Sequence, residues 1–138
     1  MLLLGVSVAT LIGAAPVARL DVDFDHVRSE KGVLRICLTA APENFPTCVD
    51  DHNATRRSIP AGAGSYRFDG LPHGDYAVAV IHDENGNKKL DTVAGIPREG
   101  FGFSRNPPIR FGPPRFTAAR FTINSDAEKQ QVKLRYIL

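Results

Sequence analysis

Oxygen-bearing side chains recur at short intervals in HDENGNKKLD, residues 82–91. Their spacing matches positions one, three, five, seven and nine of an EF-hand loop, where calcium binds carboxylate, amide and carbonyl oxygens. The five candidate ligands are Asp83, Asn85, Asn87, Lys89 through its carbonyl, and Asp91. Lys88 replaces the glycine of position six, and Ala94 stands where the bidentate glutamate belongs. We therefore expect at most a weak calcium site, with a dissociation constant of about 0.1–1 mM.

A hairpin turn is the alternative for the same residues. Asn85 and Gly86 follow the apolar run at residues 76–81, and Asn-Gly is the preferred pair in two-residue hairpin turns because both residues tolerate positive φ. Asp and Asn side chains also accept hydrogen bonds from backbone N–H groups in turns. The sequence leaves the metal loop and the plain turn both open.

A long connection without regular periodicity follows at residues 95–114. Loops longer than about fifteen residues are usually functional or disordered, and the aromatic content here argues against disorder. Residues 95–121, which we call the basic segment, contain five Arg and one Glu, a local charge of +4. The candidate binding residues for a carboxylate, a phosphate or an anionic glycan are Arg98, Phe101, Phe103, Arg105, Arg110 and Arg115. In the alternative interpretation, the Phe side chains close one end of the fold and the Arg side chains are only solvated.

Signatures of catalysis are weak in the rest of the chain. Ser104 lies in GFSRN, which lacks the second glycine of a nucleophile elbow. The four histidines have no paired zinc-binding spacing: His26, His52, His73 and His82. Asp83 and Asp91 could form a carboxylate pair, but no sugar-binding surface is indicated around them. We therefore expect no enzyme activity, with a hydrolase built on His82, Ser104 and these two carboxylates as the catalytic alternative.

The N-terminal residues 1–18 predict export. They carry no charge and place about fifteen apolar residues before several small ones, which fits a signal peptide better than a membrane span of about twenty residues. We expect a signal peptide at 1–18 and one domain at 19–138, periplasmic or secreted, with no membrane span in the mature chain. A buried N-terminal helix is the alternative.

The cysteine and charge content agree with an exported protein that does not bind nucleic acid. Cys37 and Cys48 are the only two cysteines, and a close pair in an oxidising compartment predicts a structural disulfide. The net charge of +2 over 138 residues is too small to indicate nucleic acid as a partner.

Alternating apolar and polar residues predict strands along the body of the chain. The pattern is clearest in LDVDFD from Leu20 and in VLRICL from Val33, where Cys37 lies opposite the leucine face. Residues 75–82 are apolar on both faces, which places that strand at the centre of a sheet. We expect residues 120–124 and 131–138 to form a closing hairpin and a helical turn near 114–120. The predicted fold is an all-β, antiparallel β-sandwich of about seven strands, of the prealbumin or immunoglobulin type, with one long ordered crossover loop.

One dense stretch resembles a known bacterial family. The run GDYAVAVIHDENGNKKLDTVAGIPREGFGFSRN, followed by GPPRFTAARF, resembles the pattern HDxNxNxxLDxxxxGIPxEGxGFSxN of domain of unknown function 2141 over residues 70–121. The resemblance implies an exported β-sandwich and no mechanism. FDGLPHGDYAVAV is also similar in outline to transthyretin-like and carboxypeptidase-regulatory-like sandwiches. Family members commonly carry Gly where this chain has Lys88, so the most metal-like form of the loop is degraded here.

These observations predict a non-catalytic accessory module. We expect it to bind an anionic ligand, a glycan or an envelope protein through the 83–115 face, with no cofactor beyond a weak calcium ion. The first alternative is a purely structural interaction domain of the cell envelope that pairs through exposed sheet edges. The others are a calcium-stabilised domain and the hydrolase described above.

Overall fold

The computed structural model describes residues 5, 7, 13–48, 52–86, 92–93 and 96–138. Its strands are β1 Val17–Asp25, β2 Val33–Thr39, β3 Thr55–Pro60, β4 Ser65–Pro72, β5 Gly74–Asp83, β6 Thr92–Val93, β7 Ile96–Pro97, β8 Gly100–Phe103, β9 Phe121–Ile123 and β10 Ala127–Lys133. A 3-10 helix spans Pro42–Asn44, and the short helix α1 spans Phe116–Ala119. The helical turn expected near residues 114–120 is therefore confirmed.

Two sheets form the sandwich that the sequence predicts. The smaller has the order β10-β1-β4, and the larger has the order β3-β2-β5-β8, with β9 also paired to β5. Their packed faces contribute one inner core, in which Leu20 and Val22 of β1 are fully buried together with Leu34 of β2 and Val132 of β10. The all-β sandwich is confirmed, and β6 and β7 form a separate two-stranded ribbon.

The closing hairpin expected at the C-terminus is wrong. β9 pairs with β5 in the larger sheet, whereas β10 crosses to the smaller sheet and pairs with β1 in parallel, with Phe24 opposite Val132. All other strand pairs among the described residues are antiparallel. Alternation in the sequence identifies the buried face of a strand but not its neighbour, because the same apolar face fits either sheet.

β5 is the central strand, as its two apolar faces predict. It pairs with β2 on one side and with β8 on the other, and its first residues also pair with β9. Val78 and Val80 face the inner core, whereas Ala77 and Ala79 face away from it. The second face is covered by an outer cluster of buried residues: Cys37, Cys48, Ala77, Ala79, Phe103, Phe116 and Ala119. The larger sheet is therefore buried on both sides at β5.

The connection predicted as one long ordered crossover loop contains a strand of the main sheet. β8, whose sequence is GFGF, lies within residues 95–114 and pairs with residues 79–82 of β5. From the sequence alone, two glycines in four residues argue against a strand, because Gly weakens a strand interior. Both are required by packing, because a Cβ on Gly100 would overlap the Tyr136 ring and one on Gly102 would approach Val132 Cγ1 to 2.7 Å.

The predicted disulfide is present. Cys37 and Cys48 are bonded with a Cα–Cα distance of 6.0 Å, and Cys37 lies on the face opposite Leu34 and Ile36, as expected. The bond attaches the segment after the 3-10 helix to the outer face of β2. It therefore holds Phe45 where that ring packs edge-on against Phe103 at 5.8 Å and Phe116 at 6.1 Å.

β1 begins within the residues predicted as a signal peptide. Val17 and Ala18, the last two residues of the predicted signal peptide, belong to β1, and Ala18 is buried opposite Leu71. Among the described residues, no helix is both long enough and apolar enough to cross a membrane.

Loss of the disulfide will destabilise the domain measurably. A closed loop with a sequence separation of 11 corresponds to about 3 kcal/mol of chain entropy in the unfolded state. We expect Cys37→Ala with Cys48→Ala, or reduction of the wild type, to lower the free energy of unfolding in urea by that amount. The double variant should not respond to reductant. Equal midpoints for oxidised and reduced wild type would contradict this role.

Candidate functional site

The histidine that begins the HDENGNKKLD stretch is a buried structural connector. His82 has no exposed surface, and its Nε2 lies 2.7 Å from the Lys31 carbonyl oxygen. A carbonyl can only accept, so Nε2 carries a proton; in the neutral ring Nδ1 then accepts from the Tyr136 hydroxyl at 2.7 Å. The Tyr136 oxygen in turn accepts the Arg28 backbone N–H at 3.2 Å. This chain of bonds ties β5 to the segment before β2 and to the C-terminal residues.

Asp83, the first predicted calcium ligand, is also buried. Its Oδ2 accepts from Arg35 Nε at 2.8 Å, and Arg35 Nη1 donates to Ser58 Oγ at 2.9 Å. The carboxylate therefore joins β5 to β2 and, through Arg35, to β3. A calcium ion at Asp83 would compete with Arg35 for this carboxylate.

The turn after β5 is not a two-residue hairpin. Gly86 has a φ of +69°, but Asn85 is not among the residues with positive φ, as the preferred Asn-Gly hairpin would require. The edges of β5 next to the turn are already occupied, because His82 pairs with Leu34 on one side and Gly100 on the other. A turn is therefore present here, and β2 and β8 already occupy both edges of β5 beside it.

The other predicted calcium ligands lie outside the described residues: Asn87, Lys89 and Asp91. Within the described ranges, no three His, Cys, Asp or Glu side chains are grouped so that they could hold a metal ion.

Arg28 contacts Glu84, Tyr136 and Leu138 at the end of the sandwich where β5 ends. Its Nε donates to Glu84 Oε1 at 2.9 Å, its guanidinium lies 4.4 Å from the centre of the Tyr136 ring, and its Nη1 donates to the Leu138 carbonyl at 2.6 Å. The hydrogen bond from Arg28 lowers the pKa of Glu84, although burial opposes this, and a second bond from Ser29 adds to it. Burial raises the pKa of Tyr136. These contacts link β5 and the C-terminus electrostatically.

Two polar residues in GFSRN attach the chain after β8 to the sandwich. Ser104 is fully buried, and its Oγ accepts from the Val78 backbone N–H at 3.0 Å and donates to the Ala119 carbonyl. A substrate cannot reach this hydroxyl in the present conformation. Asn106 bonds the edge of β10 through both ends of its amide, donating to the Gln131 carbonyl at 2.8 Å and accepting from Lys133 N–H at 2.9 Å. The Asn106 side chain thus makes the backbone hydrogen bonds to β10 that a neighbouring strand would otherwise make.

The six predicted binding residues divide into two groups. Phe103 is 8% exposed within the outer cluster, and Phe101 is half-buried beside it with the ring centres 6.1 Å apart. The Arg side chains of this set are all exposed: Arg98, Arg105, Arg110 and Arg115. Across the described part of the chain, neither these four nor Arg120 forms an ion pair. The rings therefore build the fold, and the cations face solvent.

Two surface features were missed by the sequence analysis. Phe111 is 101% exposed and precedes Gly-Pro-Pro, a context that cannot form a strand and could have indicated an exposed turn. An open cleft of about 480 Å³ lies between the 3-10 helix and the chain after Phe111. Its walls include Phe45 and Phe116 with Arg115 and Glu43. Such a cleft forms only when two segments that are distant in sequence meet, so no local sequence pattern predicts it.

A comparison with protein families shows which family the chain belongs to. The family described as an uncharacterized protein conserved in bacteria (DUF2141) matches residues 22–131. The chain belongs to this family. The match extends beyond residues 70–121, whose sequence carries the resemblance, and runs from the second half of β1 into β10. The searches of curated proteins and of solved structures gave no match.

Packing explains most of the DUF2141 pattern within the described part of the chain. Of its residues that the structure describes, His82, Asp83, Glu99 and Ser104 are buried. Gly100 and Gly102 make room for β10 and the C-terminal residues, and Asn106 completes the edge of β10. The motif thus attaches the basic segment to the sandwich.

Removal of the Tyr136 hydroxyl should lower the free energy of unfolding. In Tyr136→Phe the buried Nδ1 of His82 loses its donor, which costs about 1–3 kcal/mol of unfolding free energy. Urea unfolding will measure this loss. The matched control is Tyr66→Phe, which removes a hydroxyl whose bond to Arg57 lies in an exposed setting, and the expected loss there is below about 1 kcal/mol. Equal losses in the two variants would contradict the connector role of His82.

The Arg28–Glu84 contact should make stability depend on pH. The pKa of Glu84 is lower in the folded state than its ordinary value of 4.5, so the carboxylate stabilises the fold above that pH. This contribution is lost as the pH falls through the lower folded pKa. Glu84→Gln should therefore cost about 0.5–1 kcal/mol near pH 7, and the difference from wild type should shrink below pH 4.5.

Urea unfolding between pH 3 and 7 will measure the Glu84 effect. Glu30→Gln is the charge-matched control, since Glu30 is exposed and carries the same formal charge. A difference between wild type and Glu84→Gln that stays constant over this pH range would show that the charge of Glu84 does not contribute.

Proposed function

We propose that this DUF2141 protein is an exported, non-catalytic binding module whose basic segment recognises an anionic partner. The observation that carries the proposal is the set of exposed arginines on a segment that is otherwise anchored by buried residues. Arg98, Arg105, Arg110 and Arg115 face solvent, whereas Phe103 and Ser104 between them are buried. Packing accounts for the positions of the buried residues. It does not account for the arginines, which form no ion pair within the described residues.

The anchoring supports binding because it reduces the entropy lost on association. Asn106 fixes the chain just after Arg105 through two hydrogen bonds, and Phe116 fixes it just after Arg115 in the outer cluster. A loop whose ends are held in place has fewer conformations to lose when a ligand binds. The arginines are thus presented from a defined surface.

The charge of the segment supports an anionic partner. Its +4 exceeds the +2 of the entire chain, and its one acidic residue, Glu99, is buried. Arg binds carboxylate and phosphate through two parallel hydrogen bonds, and a local excess of one charge speeds association with the opposite charge. The partner is therefore an anionic glycan, a phosphate-bearing ligand or an acidic envelope protein.

Export is part of the proposal and has two supports. Residues 1–18 have the composition of a signal peptide, and the Cys37–Cys48 disulfide is typical of proteins in an oxidising compartment. Cleavage before Val17 would leave β1 complete. Calcium is left out of the proposal, because the Asp83 carboxylate is engaged by Arg35.

Neutralising part of the basic segment should weaken binding to a soluble polyanion. We expect the purified protein to bind immobilised heparin, and Arg105→Gln with Arg115→Gln to weaken that binding about tenfold at 50 mM salt, at about 0.7 kcal/mol for each exposed contact. Arg56→Gln with Arg57→Gln is the matched control, since both lie on β3 at the other edge of the larger sheet. Equal losses in the two variants, or no retention of wild type at 50 mM salt, would contradict the proposal.

A further inference from the structure

We propose that residues 110–115 form a membrane-contacting tip, in which Phe111 inserts into an anionic lipid surface while Arg110 and Arg115 bind lipid phosphates. This inference rests on the proposed function and specifies its partner. Phe111 is 101% exposed. The other seven phenylalanines of the chain are buried or half-buried: Phe24, Phe45, Phe68, Phe101, Phe103, Phe116 and Phe121. The fold therefore makes use of every phenylalanine except Phe111.

The tip is held at both ends by the outer cluster. Ile109 packs partly buried against that cluster before the tip, and Phe116 is 7% exposed within it after the tip. Gly112 has a φ of +81°, and Pro113 and Pro114 have fixed φ angles and no N–H group to donate. The Phe111 ring therefore lies on a short loop with a restricted backbone, and not on a long flexible linker.

The composition of the tip fits a lipid surface. Aromatic rings concentrate at the level of lipid headgroups, and each Arg near an anionic bilayer strengthens binding about fivefold. No Asp or Glu occurs between Gly100 and Ser125. In space, the exposed Glu43 lines the same cleft as Arg115. Phe111 does not line this cleft and is fully exposed, so it is free to approach a membrane.

The small size of the tip favours lipid over a folded protein. A stable protein interface buries about 800 Å² on each partner, whereas here one ring projects between Arg, Gly and Pro. A bilayer surface is soft and accepts a single wedge without a matching pocket. A free phosphate or soluble glycan would bind Arg110 and Arg115 without any need for the adjacent ring.

Tryptophan fluorescence can test insertion directly, because the chain contains no Trp. In Phe111→Trp the single Trp should shift its emission to shorter wavelength and become protected from acrylamide when vesicles of phosphatidylcholine with phosphatidylglycerol are added. Pure phosphatidylcholine vesicles should produce little change. Ile137→Trp, at a position that is 55% exposed near the C-terminus, is the matched control and should show no shift.

Vesicle co-sedimentation will measure the contributions of the ring and the cations. We expect Phe111→Ser to weaken binding to the anionic vesicles about tenfold, and Arg110→Gln with Arg115→Gln to weaken it about twentyfold, with loss of binding at 500 mM salt. The charge-matched control Arg56→Gln with Arg57→Gln should bind as wild type does. Phe111→Ser should keep the wild-type urea midpoint, since the ring makes no contribution to the core.

The outcomes separate this inference from the proposed function. Heparin binding that depends on Arg105 and Arg115, without vesicle binding, would overturn the membrane tip and leave the anion-binding module intact. Vesicle binding unchanged in Phe111→Ser would likewise overturn the insertion of the ring. Loss of heparin binding in Phe111→Ser, with no vesicle binding, would assign the ring to a soluble partner and overturn the lipid assignment. Failure of wild type to bind either probe would overturn both proposals.

Discussion

Burial of both faces of β5 is the constraint on which the rest of the structure depends. A strand packed against a second sheet on one face needs cover on the other, and Ala77 and Ala79 supply a flat apolar surface for it. Phe103 and Phe116 provide that cover from the basic segment, and the Cys37–Cys48 bond holds Phe45 beside them. The basic segment is therefore part of the fold, and its exposed residues keep defined positions.

Most side chains that suggest chemistry are used to satisfy buried polar groups. A buried donor or acceptor without a partner costs about 1–3 kcal/mol, so a segment that folds over a sheet must bring its own hydrogen bonds. Ser104 bonds the backbone of β5 and α1, and Asn106 bonds that of β10. His82 does the same for the segment before β2. A dense motif of His, Asp, Ser and Asn is thus expected of an anchoring device as well as of a catalytic site.

Sequence patterns predicted the faces of strands better than their partners. The opposed faces of β2, the central place of β5 and the disulfide all follow from local alternation and compartment, and all are confirmed. The parallel pairing of β10 with β1 and the insertion of β8 depend on contacts between distant residues. GFGF does not resemble a strand until Tyr136 and Val132 are placed against its glycines. For the same reason, the predicted binding set combined Phe101 and Phe103, which pack, with arginines, which do not.

What separates candidate functional residues from structural ones is whether folding accounts for their position. Arg35 and Arg67 are paired with Asp83 and Asp21, so their exposure or burial follows from those contacts. Arg110 and Arg115 have no such partner among the described residues, and the ring of Phe111 between them stays in water. An exposed Phe forgoes about 2–3 kcal/mol that burial would supply, whereas the other seven phenylalanines of the chain are buried or half-buried. We propose that this exposure serves contact with a surface outside the molecule, and the charge of the flanking cations favours an anionic one.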